Sequence, residues 1–247
     1  MSWNPSQYER FKAERKQPFL DLLSLVEHRP RMRVVDLGCG TGELTRELHA
    51  ALNAEETVGI DNSETMLLKS GGFGGETLHF ERGDIEAFVT DRPYDLIFSN
   101  AALHWVEDHA SLFTRLTSFL APHGQLAVQM PANETHASHQ TAVDVAHELG
   151  IEPRRSPMQP PERYAELLHR LGFVRQNVRL QIYGHVLDSS SDVVEWVKGT
   201  LLTDYERRAG DRWPDFLKRY RELLIERIGD QHPYFFTYRR ILIWGTF

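Results

Sequence analysis

The sequence predicts an α/β fold in which a parallel sheet is flanked by helices. Short apolar segments alternate with segments of helical periodicity over residues 33–131, and a glycine-rich turn joins the first predicted strand to the helix after it. Strands and helices that alternate at this spacing form βαβ units, whose ligands bind beyond the carboxyl ends of the strands. Asp36, Asp61, Asp84 and Asn100 lie at those ends, so we expect a ligand site there.

Each element of the first half is indicated by its own pattern. The helix after the glycine turn carries Leu44, Leu48 and Leu52, which recur four residues apart and mark one buried face. Ser63 is a candidate N-cap for the next helix. In chain order the predicted elements are helix 6–27, which is interrupted near Pro18, strand 33–37, helix 43–53, strand 57–61, helix 63–69, strand 78–84, strand 94–100, helix 109–120 and strand 125–130.

The second half is less regular and ends in a helical insertion. Helices are predicted over 137–149 and 161–171, and strands over 178–186 and 238–244. Between the last two strands, Ser190 or Ser191 is a candidate cap for a helix that carries the apolar residues of 193–197, and a second helix spans about 215–228. An insertion that returns to a closing strand is typical of a lid over the sheet edge. The expected organisation is therefore a single domain over 1–247, with an N-terminal helix in 1–30, a ligand-binding core in 31–131, the rest of the sheet in 132–187 and 236–247, and the insertion in 188–235.

Composition excludes several classes of function. The net charge is −7 with no long basic block, so a small-molecule partner is expected rather than a nucleic acid. No apolar run reaches the length of a membrane span, and the first residues lack the pattern of a signal peptide. The single cysteine, Cys39, excludes an internal disulfide, argues against a cysteine-based zinc site and fits a cytoplasmic location. We expect a monomer.

The glycine turn predicts a nucleotide-type ligand. Glycines stand at every second position, Gly38, Gly40 and Gly42, whereas a dinucleotide turn needs a G-x-G-x-x-G pattern. Glu43 occupies the position of the third dinucleotide glycine, which argues against an NAD-dependent dehydrogenase. The acid at the end of the strand, Asp36, suits a ligand that brings an ammonium group and a ribose rather than a pyrophosphate.

The string Asp36-Leu37-Gly38-Cys39-Gly40-Thr41-Gly42 resembles the first motif of the class I methyltransferases that depend on S-adenosylmethionine (SAM). The stretches around Asp61, Asp84 and Asn100 extend this resemblance over 33–131. Within the class, the chain is most similar to the trans-aconitate methyltransferase family, in the segments 3–8, 100–105, 126–131, 196–197, 216–220 and 240–242. The resemblance implies a Rossmann-like sheet with the helical insertion before its last strand. It also implies SAM-dependent methylation of a carboxylate on a small polycarboxylic acid such as trans-aconitate.

The resemblance also implies a set of cofactor contacts. Asp61 is expected to accept hydrogen bonds from the ribose hydroxyls, and Asp84 from the adenine amino group, with Ile85 beside the ring. Helix capping is the alternative role of both aspartates. Asp36 is expected either to face the methionine ammonium or to orient the turn. Arg15 is expected to pair with the methionine carboxylate, or else to be a solvated helix-face charge. The full predicted set is Arg15, Asp36, Gly38, Gly40, Gly42, Asp61, Asn62, Asp84, Ile85 and Asn100.

Four residues are predicted to contact the methyl acceptor: His104, Trp105, Tyr220 and Arg240. A carboxylate acceptor is ionised at neutral pH and needs no general base, so His104 is a candidate base only for an alcohol or amine acceptor. Arg240 offers the planar guanidinium that matches a carboxylate, with an edge-strand surface cation as its alternative.

The chain departs from the family at residues 202–204 and in the segment before the last strand, which is short and differs, and two other functions stay open. It reads Leu202-Thr203-Asp204 where the family usually has Leu-Arg-Pro, which removes an arginine suited to a substrate carboxylate. The neighbouring His136 and His139 lack the further ligands of a metal site. A carrier-linked acceptor of the malonyl-ester type and a SAM-binding module without turnover are the alternatives.

Overall fold

The computed structural model describes residues 12–247, with side chains from residue 16 onward. The predicted contact of the Arg15 side chain and the first residues of the predicted N-terminal helix lie outside the described residues. Among the described residues, the chain divides into two compact units. The sheet unit comprises Lys16–Pro131, Pro157–Gln181 and Arg240–Phe247, and the helical unit comprises Ala132–Ser156 and Ile182–Arg239.

Seven strands form one sheet in the order β3-β2-β1-β4-β5-β7-β6. The first five strands of this order form four parallel pairs, as predicted, whereas β7 runs antiparallel to β5. The prediction of a parallel sheet concerned the strands within residues 33–131, and it is confirmed there. A buried apolar run reads alike in either direction, so the pattern did not fix the direction of the closing strand. The strands are β1 (Arg33–Leu37), β2 (Glu56–Asp61), β3 (Leu78–Arg82), β4 (Tyr94–Asn100), β5 (Leu120–Pro131), β6 (Arg175–Leu187) and β7 (Tyr234–Thr246).

Nine α-helices lie within the described residues, and their bounds correct several predictions. The first runs through Pro18 without interruption and ends at Leu23, and the fourth ends at Thr117 because β5 begins at Leu120. The helices are α1 (Lys12–Leu23), α2 (Glu43–Leu52), α3 (Glu64–Ser70), α4 (His109–Thr117), α5 (Ala137–Glu148), α6 (Pro161–Arg170), α7 (Asp192–Lys198), α8 (Leu201–Ala209) and α9 (Trp213–Ile228).

The core of the sheet unit packs α1 and α2 against the strands and so supports the glycine turn between β1 and α2. Phe19 and Leu22 of α1 and Leu48 and Leu52 of α2 are buried against the apolar side chains of β1, β4, β5 and β7. Ser63 caps α3 as predicted, because its hydroxyl accepts from the Met66 N–H at 3.4 Å.

The helical unit has a separate aromatic core around Trp196, Tyr205, Phe216 and Tyr220. The insertion contains α8, which the sequence reading missed. Neither serine predicted to cap α7 does so through its side chain: Ser191 stands at the N-cap position without such a bond, and the Ser190 hydroxyl accepts from the Gln231 N–H at 3.0 Å.

Candidate functional site

The glycine turn between β1 and α2 needs its three glycines for different reasons. All three have positive φ angles, +81° at Gly38, +57° at Gly40 and +76° at Gly42, which residues with a Cβ rarely adopt. A Cβ on Gly38 would lie 2.1 Å from the Cβ of Ala102, and one on Gly42 would lie 2.6 Å from the Phe80 ring. Nothing lies within 4 Å of the corresponding position at Gly40. The protein's own packing thus occupies the Cβ positions of Gly38 and Gly42, whereas the Cβ position of Gly40 is open.

Asp61, at the end of β2, fastens the turn in place. Its Oδ2 accepts from the Gly40 N–H at 2.9 Å and its Oδ1 accepts from the Ser63 N–H at 2.8 Å. The Gly38 and Cys39 N–H groups donate to the Ile60 carbonyl at 2.7 and 3.0 Å. A carboxylate oxygen accepts more than one hydrogen bond, so Asp61 retains capacity for ligand hydroxyls.

Asp36 lies beneath the turn rather than beside its N–H groups. The side chain is 4% exposed, and its Oδ2 accepts from the Thr45 hydroxyl at 2.6 Å. Burial raises the pKa of Asp36 to about 7, with a further increase from the charge of Asp61 and an opposing effect of the Thr45 hydrogen bond. The carboxyl group therefore ties β1 to α2.

Cys39 shares this environment. The thiol is buried, and burial together with the charges of Asp36 and Asp61 raises its pKa far above the usual value. It is therefore an unreactive, protonated side chain inside the turn.

The loop after β3 carries the predicted adenine contacts. Asp84 is exposed, and its Oδ1 accepts from the Glu86 N–H at 2.7 Å, which is a local turn. Ile85 is half-buried, with its Cδ1 3.7 Å from the position of a Cβ on Gly38. Arg115 of α4 donates to the carbonyls of Ile85 and Phe88 at 2.8 and 2.7 Å and so holds the loop against the sheet unit. Asn62, after β2, is exposed.

A buried glutamine that the sequence analysis did not select joins two predicted site residues. Gln129 of β5 is fully buried. With its amide oriented so that each atom faces a complementary partner, its nitrogen donates to Asn100 Oδ1 at 2.8 Å and its oxygen accepts from Arg240 Nη1 at 3.2 Å. The only cue in the sequence is a polar residue in an otherwise apolar run, Leu126 to Met130.

The turn that follows β4 presents the predicted acceptor contacts. Leu103–Trp105 forms a 3₁₀ turn in which the His104 and Trp105 rings lie 4.8 Å apart, and Trp105 is 57% exposed. His109 supports this turn: its Nε2 donates to the Leu103 carbonyl at 3.0 Å, and its Nδ1 lies 2.6 Å from the Tyr164 hydroxyl. Burial lowers the pKa of His109, so it is neutral, and the Tyr164 hydroxyl donates to it.

In the helical unit, Tyr220 does not match its predicted role. The side chain is fully buried and its hydroxyl donates to the Ser138 carbonyl at 3.0 Å, so we do not propose it as a substrate contact. At the departure from the family pattern, Thr203 is exposed and Asp204 pairs with Arg207 and Arg208 at 2.6 and 2.5 Å. The added acid is thus neutralised by its own helix.

The helical unit also holds buried basic side chains that the sequence analysis did not select as site residues. Burial, together with the charges of His136, Arg154 and Arg239, lowers the pKa of His139 to about 3. Burial also lowers the pKa of Arg154. No group of three or more metal-ligating side chains occurs in the described range, 12–247.

The residues present fit SAM. Gly40 leaves open space at the turn, α2 begins there without a side-chain cap, and acidic groups surround the turn. Helix N-terminal N–H groups favour a carboxylate, and acids favour an ammonium group and ribose hydroxyls. The fold and the glycine turn thus define a class I, SAM-dependent methyltransferase.

Comparison with known proteins agrees with this class and narrows it. Residues 8–177 match the methyltransferase domain family. A trans-aconitate 2-methyltransferase of Deinococcus radiodurans is 41% identical, over 100% of this chain and 98% of that protein. One from Klebsiella pneumoniae is 40% identical, over 91% of this chain and 88% of that protein. The chain belongs to the trans-aconitate 2-methyltransferase family of SAM-dependent methyltransferases.

Solved structures agree on the fold. A crystal structure of a methyltransferase from Bacillus halodurans superposes with a TM-score of 0.63 at 17% identity, covering 92% of this chain and 97% of that one. A phosphoethanolamine N-methyltransferase of Haemonchus contortus, in complex with SAM, has a TM-score of 0.59 at 15% identity, covering 94% of this chain and 52% of that one.

Proposed function

We propose that the protein transfers the methyl group of SAM to a carboxylate oxygen of a small polycarboxylic acid, with trans-aconitate as the first candidate. The observation that carries this proposal is the 41% identity, along the whole chain, to a relative named trans-aconitate 2-methyltransferase. The glycine turn and the acids at or just beyond the ends of β1, β2 and β3 support a working cofactor site.

The cofactor contacts we propose follow the sheet edge. When bound, SAM supplies a methyl group on a positively charged sulfur that is open to nucleophilic attack. Gly40 and the first N–H groups of α2 face the carboxylate end, and the free lone pairs of Asp61 accept from ribose hydroxyls. Asp84 and Ile85 hold the adenine. The remaining members of the proposed set are Arg15, Asp36, Gly38, Gly42, Asn62 and Asn100.

The acceptor contacts we propose are Arg240, His104 and Trp105. A carboxylate is ionised at neutral pH, so no side chain needs to remove a proton. The residues act by holding the acceptor in line, and proximity supplies the rate enhancement. The guanidinium of Arg240 binds a carboxylate through N–H groups that lie in its plane, and the exposed ring of Trp105 shapes the wall of the site.

We further propose that the protein is a monomeric, cytoplasmic enzyme that acts on a small molecule and not on nucleic acid. The net charge of −7 and the single cysteine support this. Within the described part of the chain, none of the helices combines the length and apolar character that a membrane-spanning segment requires. One domain with a closing lid at 188–235 remains the proposed organisation.

The test is methyl transfer from radiolabelled SAM to a panel of small di- and tricarboxylic acids that includes trans-aconitate. We expect label on trans-aconitate that is released by mild base, as a carboxyl methyl ester would be. Asp61→Ala is the matched inactive variant, because it removes the acceptor of the Gly40 N–H as well as the proposed ribose contact.

Two results would contradict the proposal. Tight SAM binding with no label on any acid would discard the acceptor class and leave amine, hydroxyl and carrier-linked acceptors to be tested. An Asp61→Ala variant that binds SAM as tightly as the wild type would remove Asp61 from the cofactor contacts.

A further inference from the structure

We infer that Gln129 is a positioning residue that couples the cofactor side of the site to the acceptor side, by holding Asn100 with one end of its amide and Arg240 with the other. This inference rests on the proposed function for the roles of those two residues.

The contacts all lie within the sheet unit. The Gln129 nitrogen donates to Asn100 Oδ1 at 2.8 Å and its oxygen accepts from Arg240 Nη1 at 3.2 Å. Asn100 is the last residue of β4 and pairs directly with Gln129 across the sheet. Gln129 has no exposed surface, and Asn100 and Arg240 are half-buried. Water therefore does not replace these partners at the Gln129 amide. A buried amide with both ends satisfied has one orientation, and it transmits that orientation to both neighbours.

The backbone at the same point is also constrained. Ala101 has a φ of +58°, in the left-handed region that residues with a Cβ rarely adopt, and its N–H donates to the Gln129 carbonyl at 2.8 Å. Such strain persists only where the surroundings enforce it, and it is common at functional sites. Gln129 thus fixes this strand end through its main chain and its side chain together.

The chemistry explains why the residue is an amide and not an acid. A glutamine oxygen orients a guanidinium by one hydrogen bond and places no negative charge beside it. A glutamate would form an ion pair with Arg240 and compete with a substrate carboxylate for it. Glutamate also has no amide N–H to donate to Asn100. The neutral amide is therefore the side chain that orients both partners without competing with the acceptor.

The chain offers a matched control on the same strand. Gln125 is also fully buried, and because it lies four residues earlier it points to the same face of β5. Its amide is also satisfied at both ends: the oxygen accepts from the Glu27 N–H at 2.8 Å and from Trp244 Nε1 at 3.0 Å, and the nitrogen donates to the Glu27 carbonyl at 2.8 Å. Gln125 pairs with Leu96, four residues before the end of β4, so it has the same structural character without a contact to the proposed site.

The experiment compares Gln129→Leu, Gln129→Glu and Gln125→Leu for thermal stability, SAM affinity by calorimetry, and acceptor KM. Both leucine variants should lose stability. Only Gln129→Leu should raise the acceptor KM and the SAM Kd, each by about ten-fold, which is the expected effect of losing one oriented hydrogen bond to a charged or ligand-binding group. Gln129→Glu should raise the acceptor KM at pH 8, and its ratio to the wild-type KM should fall as the pH is lowered and the carboxyl group is protonated.

Several results would overturn the inference. Equal effects of Gln129→Leu and Gln125→Leu on KM and Kd would show that both glutamines only support the fold. A Gln129→Glu variant with wild-type KM at every pH would exclude the charge argument, and this variant keeps the shape of the side chain if the leucine variant fails to fold. If the wild-type protein methylates no acid, the proposed function fails by itself. The comparison of SAM Kd between Gln129→Leu and Gln125→Leu then still decides the Asn100 contact.

Discussion

The buried carboxyl group of Asp36 predicts a pH dependence of stability that a single substitution removes. Its pKa is about 7 in the folded protein against an ordinary value of 3.8, chiefly because burial disfavours the charged form. The folded state therefore binds the proton more tightly than the unfolded chain does. As a consequence, the free energy of unfolding contributed by this group falls as pH rises from about 4 to about 7, and is constant above that.

The size of the effect follows from the shift. Each pKa unit corresponds to about 1.4 kcal/mol, so a shift from 3.8 to about 7 gives an upper limit of about 4 kcal/mol. Asp36→Asn removes the titrating proton, keeps the volume, and retains an oxygen that accepts from the Thr45 hydroxyl. We expect the variant to gain stability relative to the wild type between pH 5 and pH 8.

The assay is urea unfolding, followed by circular dichroism, at intervals from pH 5 to pH 8. Asp84→Asn is the control, because it neutralises an exposed aspartate near the same sheet edge. A stability difference between Asp36→Asn and the wild type that stays constant over this pH range would refute the reasoning.

The same variants separate the two roles predicted for Asp36. If the affinity for SAM rises with pH in the wild type and Asp36→Asn abolishes this rise, the carboxylate contacts the ammonium group. If Asp36→Asn binds SAM as the wild type does, the carboxyl group only supports the turn.

Two further predictions concern the turn and its neighbours. Gly38→Ala should lower the free energy of unfolding by about 3 kcal/mol, because its Cβ would overlap that of Ala102. Gly40→Ala should lower it by about 1 kcal/mol and chiefly weaken SAM binding, so equal losses of stability in urea unfolding would contradict this prediction. Tyr164→Phe should raise the acceptor KM about five-fold with little change in SAM Kd, because it removes the hydrogen bond to His109 that steadies the Leu103–Trp105 turn; steady-state kinetics and calorimetry that show the reverse pattern would exclude this role.

The parts of the fold that depend on local pattern were predictable from the sequence. The glycine turn, the leucines of α2 and the acids after the strands each carry a signal within a few residues, and the structure confirms the elements around them. Helix α8 was missed although Leu201, Leu202, Tyr205 and Ala209 recur at helical spacing, so the sequence did carry a signal for it.

The parts that depend on distant partners were not predictable. The antiparallel direction of β7 follows from how the chain returns to the sheet, which no local pattern records. The bridge through Gln129 joins residues 29 and 111 positions away from it in the chain, and only the strand pairing brings them together. Tyr220 was selected by resemblance, and only the packing around Ser138 shows that its hydroxyl is already engaged.

The buried thiol of Cys39 can report local opening of the glycine turn. Cys39 is the chain's only cysteine, and it lies inside the glycine turn beside Asp36 and Asp61, where its raised pKa keeps it protonated. A thiol-specific dye therefore reacts at a rate set by excursions that expose the turn, with no engineered label and no competing site. Because a bound cofactor would close that region, the decrease in labelling rate with added SAM measures how strongly the ligand protects this segment, independently of any turnover.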